Sequence, residues 1–128
     1  MFEILSFKIK VVQNSKGITE TEAILKVNVN GRTEAVIGDG NDIKDAFHQA
    51  LRKALLSAYP CLAELKIVCY EVFGLKDNSF VLASFVFLDG EERWADLGEA
   101  ANACEAILKA LVAGFKRTIF RRTTEETG

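Results

Sequence analysis

The sequence predicts an α+β domain made of one βββα unit written twice, with antiparallel sheets and the helices packed on one sheet face. Three observations predict it. Apolar residues alternate with polar ones in short blocks, each closed by turn chemistry. A helical period replaces that alternation twice. Two hairpin signals, Asn30-Gly31 and Asp89-Gly90, stand at matching places ahead of the two helical stretches.

In the first unit, Leu5, Phe7, Ile9 and Val11 alternate with Lys8 and Lys10, which predicts a half-buried strand. Turn residues fill 14–17. A second strand carries Ala23, Leu25, Val27 and Val29, and a short third one runs over 32–37 after the Asn-Gly turn. Ile43, Ala46, Phe47, Ala50, Leu51, Ala54, Leu55 and Ala58 then form one helix face, capped by Asn41 or Asp42 and ended by Tyr59-Pro60. In the second unit, strands are expected over 65–73, 80–88 and 93–97. The 80–88 strand is apolar on both faces, so it is expected to be central and covered on both sides. Ala103, Ala106, Ile107, Ala110, Leu111, Gly114 and Phe115 line a second helix, with Asn102 and Glu105 as a capping pair. The repeats cover about 2–60 and 62–120 of a single domain, 1–122. The polar tail, 123–128, is expected to be disordered.

The composition narrows the function. Of 128 residues, sixteen are basic and eighteen acidic, so no global field recruits nucleic acid or an anionic membrane. No apolar run approaches the roughly 20 residues that span a bilayer. Three cysteines, Cys61, Cys69 and Cys104, lack the spacing of a zinc site or disulfide framework. They read as small buried hydrophobes in a reducing, cytoplasmic compartment. The single histidine, His48, lies off the helix stripe and reads as solvated. No catalytic residue, metal or cofactor is expected. A small enzyme on this scaffold would need an acid–base pair such as Asp42 with Tyr70.

Other features read as structural. Gly38-Asp39-Gly40-Asn41-Asp42 is a turn before a helix, without the lysine of a phosphate loop or the closing carboxylate of a calcium loop. Tyr70 shares a strand face with Val68 and Val72. Trp94 packs across its hairpin. Lys116, Arg117, Arg121 and Arg122 sit where a helix C-terminus favours cations.

The order of motifs adds a resemblance. Gly40-Asn41, Asp45-Ala46-Phe47, Ala50-Leu51-Arg52-Lys53-Ala54-Leu55 and Tyr59-Pro60 come first, then Cys69-Tyr70. Asp89-Gly90 with Trp94 and Gly98 follow, and finally Ala100 through Ile107. Together they resemble the C-terminal regulatory domain of the 2-isopropylmalate and citramalate synthases, with the citramalate branch slightly favoured. The resemblance runs from Phe2 to about Phe120. It implies a homodimer that binds a branched-chain amino acid effector, leucine or isoleucine, at the interface. It also implies a synthase catalytic domain as partner, whose metal-binding barrel is not among these residues. Carried over by position, the effector site would use the first turn of the first helix, with backbone N–H groups around Lys44, Asp45 and Ala46 for the carboxylate and Asp45 for the ammonium. Ile67, Tyr70 and Gly74 would wall the side chain, and a turn at Gly98–Ala100 would close it. The chain departs from the family pattern at Asp42, Ile43, Cys69, Ala100, Ala103 and Cys104. Those departures leave a second expectation, a dimerisation module that has lost its effector.

Overall fold

The computed structural model describes residues 1–75 and 79–127, the side chains of 125–127 excepted. The chain forms two compact units, Met1–Pro60 and Cys61–Gly128. The first holds β1 (Phe2–Gln13), β2 (Thr19–Val29), β3 (Arg32–Gly40) and α1 (Ile43–Leu55). The second opens on a 3-10 turn (Pro60–Glu64), then β4 (Lys66–Gly74), β5 (Val81–Asp89), β6 (Glu92–Ala100) and α2 (Ala103–Thr127). Each sheet is antiparallel and three-stranded, in order β1-β2-β3 and β4-β5-β6. This is the duplicated βββα architecture that the periodicities predict.

The duplication is close in geometry. Gly38 and Gly98 hold the same place under their helices. A Cβ on either would run into the helix backbone, at Ala46 and Ala50 or at Ala106 and Ala110, so each pair stands sixty positions apart. Both first strands carry a bulge at the same place, between Ile4 and Ser6 and between Ile67 and Cys69. In each unit the helix lies on the second and third strands. Ala23, Leu25 and Val27 of β2 and Ala83, Phe85 and Phe87 of β5 are fully buried beneath it. Leu25, Val27, Phe85 and Phe87 contribute about 1.5–3 kcal/mol each on burial, which makes this face the core of its unit.

Several boundaries differ from expectation. β3 and β6 run on to Gly40 and Ala100, because their glycines are strand residues pressed against a helix rather than turn residues. Residues 98–100 are therefore not a turn. α1 stops at Leu55, before Tyr59-Pro60, with the Leu56 N–H still bonded to the Arg52 carbonyl. The other face of β5 is only half-buried at Leu82, Val86 and Leu88, since one helix covers one side. α2 continues through the polar tail as far as Thr127, with the Thr124 hydroxyl donating to the Phe120 carbonyl at 2.8 Å; Gly128 lies outside the described residues.

The two hairpins close differently. Asn30 and Gly31 both have positive φ, 52° and 89°, as a type I′ turn requires. In the second hairpin Asp89 pairs with Glu92, so the turn residues are Gly90 and Glu91, and of these only Gly90 has positive φ, 65°. Asp89 is the last residue of β5, not the first of the turn.

Candidate functional site

The bulge in β4 decides which residues share a face. Regular alternation would put Ile67 and Tyr70 on opposite sides of the strand. The extra residue, Val68, brings them together. Ile67 then pairs with Phe87, Tyr70 with Phe85, Val72 with Ala83 and Gly74 with Val81, all on the helix side of the sheet. Val68 is the residue left without a partner on β5, so the regular alternation that would set it beside Tyr70 is broken there. On β6, Gly98 and Ala100 continue the rows of Val72–Ala83 and Gly74–Val81. Five residues expected at an effector site thus lie on one sheet face: Ile67, Tyr70, Gly74, Gly98 and Ala100.

They differ in access. α2 seals Gly98 and Ala100. It lies over β5 and β6, which leaves the helix side of β4 as an apolar shelf: Tyr70 is 39% exposed and Val72 36%. A Cβ on Gly74 would meet nothing within 4 Å. Cys69 pairs with Val86 on the opposite face and is exposed, so it is not the buried hydrophobe expected. An aspartate at that position would also point away from the shelf.

The first unit repeats the shelf. Ile4, Phe7, Ile9 and Val11 share the helix side of β1 as partners of Val27, Leu25, Ala23 and Thr21. Phe7 is 37% and Val11 64% exposed, with Phe7 edge-on to the buried Phe47 of α1. Asp45 and Ala46 stand in the first turn of α1, but their N–H groups are taken. Asp42 caps the helix through Oδ1, 2.8 Å from the Asp45 nitrogen, and its carbonyl accepts from Ala46 at 3.0 Å. The Asp45 carboxylate pairs with the Lys44 ammonium at 3.0 Å. His48 is half-buried rather than solvated. Burial, then Arg52 and Lys44, push its pKa down to about 4, against a smaller opposing pull from Asp45.

The second unit also holds an ionic cluster that sequence reasoning missed. Asp89 is buried on the helix side of β5 and is held by Arg121 and by Arg122, whose Nε and Nη2 lie 3.0 and 2.8 Å from its oxygens. Hydrogen bonding from Arg122 outweighs burial and keeps the Asp89 carboxyl below its usual range. Asp96 takes a two-pronged bond from Arg117, at 2.7 and 3.0 Å, and a third from the Trp94 indole at 2.9 Å. The arginines read as helix-end cations therefore lie within α2 and fasten it to the β5–β6 hairpin. In the first unit the positions of Asp89 and Asp96 hold Val29 and Val36, and that contrast between the repeats was the available signal.

Among the described residues no group of three or more His, Cys, Asp or Glu side chains is placed to hold a metal ion. No helix among them is long and apolar enough to cross a membrane.

The fold and shelf define a small duplicated α+β domain that offers apolar strand surface at two matching places. No family model matches the chain. It is similar to curated (R)-citramalate synthases: 35% identical over 98 residues to that of Synechocystis sp., covering 73% of this chain and 18% of the relative. The Geobacter sulfurreducens enzyme is 32% identical over 118 residues, covering 87% of this chain and 22% of the relative. The Sulfolobus acidocaldarius enzyme is 35% identical over 108 residues, 80% and 20% respectively. The chain spans about a fifth of the length of these relatives. It belongs to the citramalate synthase family, matching a limited part of those proteins.

Proposed function

We propose that the chain is the amino-acid-sensing and dimerising domain of a citramalate-synthase-type enzyme, working in the cytoplasm beside a catalytic domain. The observation that carries this reading is the open shelf on the first strand of both units. A strand whose core side stays apolar and uncovered asks for a further layer. A second copy of the chain offers a layer of matching thickness. The aliphatic part of leucine or isoleucine fits against Ile67, Tyr70 and Val72, and burying it contributes about 1.5–3 kcal/mol. The chain serves the condensation of an acetyl-CoA-dependent synthase without carrying its chemistry. Bound effector favours one dimer arrangement and biases the attached enzyme, a coupling of about 1–3 kcal/mol in typical cases.

Titration calorimetry with isoleucine and leucine tests the sensing half. A saturable heat that Tyr70→Ala weakens is expected. No heat and no thermal shift at millimolar ligand rejects it.

One observation favours a second reading, a dimerisation module without effector. The Asp42 side chain occupies the α1 N–H of Asp45, which a bound carboxylate would otherwise use. A dimer that gives no heat with either amino acid is the signature of this reading.

A further inference from the structure

A stack of rings crosses the helix side of the second sheet. Tyr70 on β4 stacks on Phe85 at 5.0 Å between centroids, Phe85 lies 6.2 Å from Phe87, and Phe87 lies 5.8 Å from Trp94. The Arg121 guanidinium caps the far end, 5.5 Å over the Trp94 ring. The first unit places Phe7, Leu25, Val27 and Glu34 at the same positions, so the continuous stack belongs to the second unit alone. Phe85 and Phe87 have no exposed surface, and close-packed interiors leave a displaced ring little room to settle.

The stack meets α2 at a weak point. A Cβ on Gly114 would land on the Phe87 ring, so the glycine is a notch that receives it; the first unit has the smaller Val27 against Ala54 there. Glycine is among the poorest helix formers. The buried Thr118 hydroxyl also bonds back to the Gly114 carbonyl at 2.9 Å, a bond that bends helices. Beyond the notch ion pairs are added to the packing. Before it, Ala106, Ala110 and Leu111 pack on the sheet. After it, Phe115 and Ile119 are still buried, and Arg117, Arg121 and Arg122 also grip Asp96 and Asp89, with Arg122 reaching Glu64 at 2.9 Å.

We infer that the C-terminal half of α2 is a strap, hinged at Gly114, whose seating on the β5–β6 hairpin is set through the ring stack from Tyr70, so that a small ligand held at Tyr70 shifts the strap. The ligand half of this statement rests on the proposed sensing role. The coupling half does not, because removing the Tyr70 ring perturbs the stack without any ligand.

Hydrogen exchange read by mass spectrometry tests it, comparing residues 103–113 with 115–124 in the ligand-free full chain. Tyr70→Ala is expected to speed exchange about fivefold in 115–124, with 103–113 within about twofold of wild type and Tyr70→Phe unchanged. Phe87→Leu, which interrupts the stack at its middle, is expected to give the same split. Equal change in both halves of the helix, or change in neither, overturns the coupling. Saturating isoleucine or leucine forms the second arm, with binding scored by calorimetry. Binding heat with altered exchange in 115–124 supports the strap as the readout. Binding heat without it overturns the ligand half and leaves the sensing role standing. No heat removes the sensing role and with it the ligand half, while the ligand-free comparison still decides the coupling.

Discussion

Asp89 shows how a single residue changes meaning with register. In the sequence it belongs to Asp-Gly, a strong hairpin signal. In the structure the turn begins one residue later, and Asp89 ends β5 on the core side, where two arginines hold it. Alternation cannot resolve a one-residue shift, yet such a shift moves a side chain from solvent to core. Asp89→Asn is expected to lower stability by about 2–4 kcal/mol at pH 7, since it leaves two half-buried guanidinium groups facing a neutral amide. Its folded pKa lies below the ordinary 3.8, so its stabilisation is present above that value and fades as pH falls through the lower, folded one. Urea melts of wild type and variant should therefore begin to converge only below about pH 4 and meet once pH has passed the folded value. His48 works in the same direction by another route. Its pKa falls from 6.5 to about 4 on folding, so the unfolded chain binds the extra proton between those values. Stability drops as pH falls from 6.5 to about 4, and His48→Gln should flatten that part of the profile.

At the scale of elements, strand and helix order was legible because periods of two and 3.6 differ plainly along this chain. Their ends were not. Gly38, Gly40 and Gly98 look like turn residues in sequence, whereas the structure uses Gly38 and Gly98 as contact points where strand and helix backbones approach too closely for a Cβ. Gly98→Ala is expected to cost about 3 kcal/mol through overpacking. Gly74→Ala, where a Cβ meets nothing, should stay within about 0.5 kcal/mol of wild type. Denaturant midpoints for the two variants check the contrast. The bulge at Val68 was equally hidden, since an inserted residue leaves no mark on composition. It nevertheless decides that Ile67 and Tyr70 stand side by side. The motif resemblance placed both residues at a site; the geometry supplies the reason they share a face.

For the whole molecule, the decisive feature is the repetition of an uncovered first strand. Phe7 and Val11 in one unit and Tyr70 and Val72 in the other are apolar, exposed and on the core side of their sheets. Singly exposed apolar residues need no explanation, but the same strand left open twice is the surface on which the proposed dimer rests. A carboxylate placed there should repel a partner, so Phe7→Asp and Tyr70→Asp are expected to weaken association by at least about tenfold each. Sedimentation equilibrium over a range of protein concentration tests this most directly. The wild-type chain is expected to sediment as a dimer that dissociates in both aspartate variants; a wild-type chain that sediments as a monomer at every concentration would contradict the proposed dimer.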